Sequence, residues 1–315
     1  MQVAFILRGG LLDSAGCTVQ VGGVGAAVQH RADGLCDNAV DQAGQVGFGE
    51  LLLLLLFRLL LAQCLFDGCI NGVLDKIERL PAGTPVMIDM KGPYGSFFYP
   101  SHLDGAVHSA STDVDAVAAL VDTLMNKKFY TIARVCSLRD WNFGNEHVTC
   151  GLYMLSRAGL WLDQGYFWLD PTNATTISWI TSVVLELKEM GFNEVMLADF
   201  RFPNSDQYIF NGDKEAALQD AASKLMGTCG GDNFTLSFGV ADPAFKLPEG
   251  RCRLYLEDVD AANVEAKATL VDVPDIKAQL VFMAATNDTR FDSYSVIRSL
   301  NAAEILEAQK AEAAS

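Results

Sequence analysis

"GFNEVMLADFRFP", residues 191 to 203, opens on a glycine and closes on R-F-P. Its centre is an apolar run, Val195 to Ala198, cut off by Asp199 and followed by Phe200 and Arg201. An unbroken apolar run of this length reads as a strand buried on both faces. Side chains alternate along a strand, so Asp199 and Arg201, two places apart, share a side. The stretch predicts a buried strand over 194–200 that delivers a carboxylate and a guanidinium to its C-terminal end.

The pattern recurs on both sides. "TPVMIDM" (84–90), "FYTIARV" (129–135), "FTLSFGV" (234–240), "RCRLYLE" (251–257) and "QLVFMAA" (279–285) are strand-like. Between the first two lies "STDVDAVAALVDTLMNKK" (111–128), apolar at 114, 117, 118, 121, 124 and 125. That is the helical period, and Thr112 or Asp113 can cap it. Ile177, Ile180, Val183, Val184 and Leu187 mark a second helix, stopped by Gly191. A third helix is expected at about 213–226, ending at Gly227, and a short one near 260–268. Residues 136–171 read as a long loop carrying Trp141, Trp161 and Trp168.

Strands alternating with helices imply a parallel sheet covered on both faces. The fold class is α/β, and a (β/α)8 TIM-type barrel is preferred to a doubly wound open sheet. No G-x-G-x-x-G follows any strand and no P-loop is present. Six strands are legible between 84 and 285. The other two are expected from the N-terminal region and from 291–300, which leaves the barrel incomplete or irregular at its first strand.

Composition divides the chain into three parts. Residues 1–66 are an atypical N-terminal region: no lysine occurs in the first 75 residues and no proline before Pro81. Residues 67–300 form the expected barrel, and 301–315 a C-terminal helical tail. The run "LLLLLLFRLLLAQCLF" (51–66) is interrupted by Arg58 and is shorter than the about 20 residues of a membrane span. Three readings stand for it: a buried or poorly ordered helix, a marginal membrane anchor, or sequence upstream of the natural start.

The net charge of −16 argues against nucleic acid and anionic membranes as partners. Membrane association is left only to residues 51–66. Eight cysteines form no C-x-x-C and read mostly as free, half-buried thiols. Four histidines form neither H-x-H nor H-E-x-x-H, so no metal or other cofactor is expected, an all-carboxylate site aside.

In a barrel, active sites gather at the C-terminal ends of strands. Several strands here end in charge: Asp89 and Lys91, Arg134 with Asp140 beyond it, Asp199 and Arg201, Asp242, Glu257 with Asp258, and Asp288. A carboxylate beside arginine stays ionised, whereas one in an apolar wall is pushed towards protonation. Glycoside hydrolysis uses one of each, and the loop tryptophans, taken as exposed, suit sugar rings. Taken singly, each Asp reads equally as a helix cap or loop residue, and Arg201 as a loop tie.

Four pieces, "IDMKGPYGSFFYPS", "YTIARVCSLRDW", "GLWLDQGYFWLDPTN" and "GFNEVMLADFRFP", in this order, resemble the glycoside hydrolase domains of bacterial envelope proteins. The resemblance covers roughly 70 to 300. It implies a TIM barrel distantly similar to the alpha-amylase clan, an O-glycosyl hydrolase acting on a polysaccharide or cell-wall glycan, and an envelope or extracellular location. Asp89 and Lys91 match the family's D-x-K; Ala133 and Arg134 its A-R; Trp168, Asp170 and Pro171 its W-x-D-P; Arg201, Phe202 and Pro203 its R-F-P. One departure stands out: Ala198 occupies the family's aspartate position and Asp199 its tyrosine position. A one-place shift sends a strand side chain to the opposite face unless a bulge restores it.

The leading expectation makes Asp199 the nucleophile or base and Asp242 or Glu257 the acid, with Asp242 slightly favoured. Arg201 and Arg134 stabilise charge, and Asp89, Lys91, Asp140 and Trp168 complete the substrate contacts. Two alternatives remain: a non-catalytic carbohydrate-binding or structural barrel, for which Ala198 is the clue, and a metal enzyme using Asp89, Asp199 and Asp242.

Overall fold

The computed structural model describes residues 3–7, 83–257, 259–284 and 288–299. The rest of 1–66 and the tail 301–315 lie outside the described residues, and with them the readings made for 51–66. Among the described residues no helix is long and apolar enough to cross a membrane.

The architecture is mixed α/β, built on a curled, mostly parallel sheet. Its strands are β1 (Val3–Leu7), β2 (Pro85–Lys91), β3 (Ser96–Phe97), β4 (Val107–His108), β5 (Tyr130–Cys136), β9 (Glu194–Ala198), β11 (Thr235–Val240), β12 (Leu254–Leu256), β13 (Leu280–Ala284) and β14 (Ser295–Ser299). The order is β1-β14-β13-β12-β11-β9-β5-β2-β3-β4, and β1 also pairs in parallel with β2. The six strands read from sequence are all present. The two expected from the N-terminal region and from 291–300 are β1 and β14.

Outside the sheet lie α1 (Val114–Asn126), α2 (Trp141–Glu146), α3 (Ala174–Glu189), α4 (Lys214–Cys229), α5 (Val264–Ala268) and α6 (Ile276–Gln279). Long helices thus follow β2, β5 and β9; beyond β11 the described helices are short. Asp113 caps α1, accepting the Ala116 N–H. Gly191, with φ of 99°, follows the last turn of α3, where a side chain is disfavoured. Gly227 does not end α4, which runs on to Cys229. The helix buries Ala221, Ala222, Leu225, Met226 and Cys229, which outweighs the about 1 kcal/mol an internal glycine costs.

Residues 136–171 are not a plain loop. They hold α2 and three short strands: β6 (Tyr153–Met154), which pairs with β10 (Tyr208–Ile209), and the hairpin β7 (Leu162–Asp163) and β8 (Tyr166–Phe167). Gln164 (φ 51°) and Gly165 (φ 90°) make its turn, both left-handed as a two-residue hairpin of that twist requires.

The two faces of the sheet bury different sets. Val86, Ile88, Val195, Leu197, Leu236 and Phe238 belong to the large core towards the helices. Met87, Ile132, Met196, Ala198, Tyr255, Val281 and Ile297 meet inside the curl. At the N-terminal end of the strands the buried Glu194 accepts hydrogen bonds from Ser237 Oγ (2.6 Å), Tyr255 OH (2.8 Å) and Tyr130 OH (3.0 Å), and pairs with Arg253. This saturated knot occupies one end of the curl; the other end is left to the site below. Cys136, Cys150, Cys229 and Cys252 are free and buried.

Candidate active site

Parallel strands bring all their C-terminal ends to one rim. There β2, β5, β9 and β12 present Asp89, Arg134, Asp199 and Glu257, all within the curl's mouth. Arg134 is the bridge. One guanidinium nitrogen lies 3.2 Å from Asp89 Oδ1 and the other 3.3 Å from Glu257 Oε1. Glu257 Oε2 in turn accepts the backbone N–H of Asp199 at 3.1 Å. Gly239 on β11 makes room: a Cβ there would stand 3.2 Å from the Glu257 carboxyl carbon and 3.1 Å from Ala198 Cα.

Asp199 reaches this cluster by an unusual route. Strand β9 ends at Ala198, whose side chain lies with the inner cluster. The backbone then turns left-handed at Asp199, with φ of 51°. Aspartate is one of the few non-glycine residues that adopt this region at modest cost. The turn undoes the one-place shift, and the Asp199 carboxylate meets groups of the neighbouring strand. Arg139 Nη2 is 2.7 Å from Oδ2, and the Cys136 thiol donates to the same oxygen at 3.0 Å. Arg201 Nη2 approaches Oδ1 at 3.5 Å. A left-handed residue, not a bulge, restores the carboxylate. The chain then rejoins the sheet through Phe200 N–H to Gly239 O (2.9 Å).

Asp89 and Lys91 part company despite being two residues apart. The β2–β5 register shifts between them. Asp89 faces Arg134, whereas the buried Lys91 Nζ pairs with Asp140 Oδ2 at 2.7 Å and donates to Cys136 O at 3.0 Å. Asp140 is fully buried; it caps α2 through the Phe143 N–H (2.9 Å) and accepts from Trp179 Nε1 (3.2 Å). Trp168 is buried rather than exposed, with the guanidiniums of Arg139 and Arg201 over its ring at 5.6 and 5.4 Å. Asp242 is exposed beyond β11, where Oδ1 accepts the Ala244 N–H within its own turn (2.9 Å). Asp288, likewise, pairs locally with Arg290. The structure therefore gathers Asp89, Arg134, Asp199, Arg201 and Glu257 at one place. Lys91 and Asp140 lie sealed beside them, and Asp242 makes its own contact elsewhere. Among the described residues no group of three or more His, Cys, Asp or Glu side chains is placed to hold a metal ion.

Arg139 and Cys136 were missed by the sequence reading. Arg139 sits inside "SLRDW", and Cys136 continues the inward alternation of Tyr130, Ile132 and Arg134, so both carried a signal.

Burial is the largest influence on Glu257 and raises its pKa above the usual glutamate value of 4.5; Asp199 raises it further, while Arg134 and the Asp199 N–H act the other way. A raised carboxyl is biased towards its protonated form, which can give up a proton. The Cys136 thiol is pushed well up, first by burial and then by Asp199, so it acts as a neutral donor. An acid biased to protonation stands next to an aspartate flanked by two guanidiniums. Such a pairing can move a proton onto a leaving oxygen while a carboxylate supports positive charge at carbon.

A family model described as "Putative glycosyl hydrolase domain" matches residues 69–227, just over half of the chain. No functionally curated protein matches the chain in sequence. Among solved structures, the alpha-L-fucosidase isoenzyme 2 of Paenibacillus thiaminolyticus aligns with a TM-score of 0.51 and 10% identity, over 68% of this chain and 40% of that one. The alpha-galactosidase of Lactobacillus brevis gives 0.50 and 10%, over 73% and 35%. A hypothetical protein of Ruminiclostridium thermocellum gives 0.48 and 19%, over 55% and 90%. The chain thus spans well under half the length of either glycosidase, and at these identities the likeness is one of fold.

Proposed function

The chain belongs to the family described as "Putative glycosyl hydrolase domain", and from that premise we propose that it hydrolyses a glycosidic bond in a polysaccharide or cell-wall glycan, using Asp199 and Glu257 as its carboxyl pair. The curled sheet is read as a (β/α)8 barrel with an irregular helical layer, and the envelope or exterior as its location. The observation that carries the proposal is the direct hydrogen bond from the Asp199 backbone N–H to the Glu257 carboxyl, which ties Glu257 to the residue bearing the other carboxylate.

In this reading Glu257 gives its proton to the glycosidic oxygen as the bond to the anomeric carbon lengthens. Arg134, against Glu257 Oε1, stabilises the carboxylate left behind. Asp199 faces the developing oxocarbenium ion as nucleophile, or as base to water. Arg139 and Arg201 fix its two oxygens, and Asp89 steadies Arg134. Lys91 and Asp140 hold β2 against the start of α2 and position the rim. Asp242 is ranked below Glu257 as the acid, because its carboxylate is exposed and bound within its own turn.

The test is Asp199→Asn. Asparagine also tolerates the left-handed backbone, so the variant removes charge without removing the turn. Turnover of a cleaved glycan should fall at least about 100-fold with the melting temperature little changed; turnover equal to wild type refutes the assignment. Ala198, at the family's aspartate position, favours a second reading as a carbohydrate-binding barrel. That reading wins if purified protein binds a glycan in a broad panel and cleaves none.

A further inference from the structure

Beside the carboxyl pair lies a rim of aromatic residues that the hydrolytic reading leaves unused. Tyr94, in the turn after β2, is 51% exposed, and Trp141, the first residue of α2, is 38% exposed. Tyr94 packs on Tyr166 of the β7–β8 hairpin with ring centroids 4.6 Å apart, and Trp141 stacks on Phe167 at 6.3 Å and 9°. The rim is fixed from below. Asn142 N–H bonds Tyr94 O at 3.0 Å, Asp140 N–H bonds Phe167 O at 3.0 Å, and the left-handed Gln164–Gly165 turn sets the hairpin. One side chain joins this rim to the reaction centre. Arg139 holds Asp199 at 2.7 Å and places its guanidinium over the Tyr166 ring at 4.9 Å.

We propose that Tyr94, Tyr166 and Trp141 form a sugar-binding subsite that seats the ring neighbouring the one cleaved at Asp199. The proposal rests on the hydrolytic reading and names the kind of substrate: a chain of at least two sugars, not a lone glycoside. Rigid, half-exposed aromatic faces suit the C–H faces of a pyranose, and they lose little side-chain freedom on binding. A single guanidinium separates the platform from Asp199, so both positions lie along one glycan. Among the described residues the other exposed large apolar side chains, such as Val148, Leu155 and Leu270, include no aromatic ring. The two most exposed aromatic side chains of the described residues therefore both lie on this rim.

The experiment titrates the full chain, as wild type and as Asp199→Asn, with neutral gluco-oligosaccharides and N-acetylglucosamine oligomers of increasing length, read by calorimetry. Binding should strengthen from one sugar to the longer oligomers. Trp141→Ala and Tyr94→Ala should each weaken the longer oligomers about tenfold, which is about 1.4 kcal/mol, and leave any monosaccharide affinity unchanged. Trp141→Phe should keep most of the affinity. Unchanged melting temperatures in all three variants show that the fold is retained. The subsite is overturned if no oligomer binds, if length has no effect, or if the alanine variants bind like wild type. Failure of the carboxyl assignment looks different: Asp199→Asn would keep turnover while the platform variants still lost binding.

Discussion

Replacing Asp140 with alanine tests how the mouth of the sheet is held, and its cost can be worked from the contacts. The carboxylate pairs with Lys91 at 2.7 Å, with the two side chains 2% and 0% exposed. It also accepts the Phe143 N–H at 2.9 Å and the Trp179 indole N–H at 3.2 Å. Removing one partner of a buried pair costs about 3–5 kcal/mol. Loss of a helix cap alone costs about 1 kcal/mol. One carboxylate makes all these contacts, so the terms overlap and about 4 kcal/mol is expected. Lys91→Met should cost less, about 3 kcal/mol at the lower end of the same range, because Asp140 keeps two donors. Lys91→Met combined with Asp140→Asn should be clearly milder than the sum of the singles, since no buried charge then lacks its partner. At roughly 2–4 °C per kcal/mol, Asp140→Ala should melt about 10 °C below wild type. The assay is thermal unfolding followed by near-ultraviolet circular dichroism. A drop under about 2 °C for Asp140→Ala, given that scale, defeats the reasoning. So does a larger drop for Lys91→Met than for Asp140→Ala.

Two further predictions concern pH and the helical layer. Because burial raises the Glu257 pKa, its contribution to stability is fully present below the usual glutamate value of 4.5 and is lost as pH rises through the folded-state value. Melting temperature plotted against pH should therefore fall more steeply for wild type than for Glu257→Gln above 4.5; parallel curves would count against a protonated acid. Gly227 lies inside α4 with open space where a Cβ would stand, so Gly227→Ala should stabilise by about 0.5–1 kcal/mol. A lower melting temperature for that variant would show a contact the helix does not display.

Much of the scaffold was legible because a parallel sheet covered on both faces leaves continuous apolar runs. "EVMLADF" yields β9 and "TIARV" yields β5 with little competition from other patterns. What failed had local physical causes. The β7–β8 hairpin has two residues per strand and a Gln-Gly turn, a weaker signal than Asn-Gly. Gly227 reads as a helix stop, yet packing on both sides of it carries α4 onward. Strict alternation would put Asp89 and Lys91, two places apart, on one side, and the register shift between them breaks that rule. The same rule argues that Asp199 faces away from Ala198's side, and a left-handed φ, invisible in a strand pattern, reverses the conclusion. Trp168 and Arg201 stand in recognisable motifs, but only coordinates show that one ring is covered by two guanidiniums.

The left-handed turn at Asp199 also ties together what its dipeptide with Ala198 can become. The Ala198 side chain packs inside the curl with Met87, Ile132 and Met196. A chain with aspartate at both places would crowd an extra negative charge beside Glu257, whereas one with neither would strand the Arg139 cation. Positions 198 and 199 are therefore expected to tolerate exchange only together. Exchanging both residues at once is therefore the change to set beside either one alone.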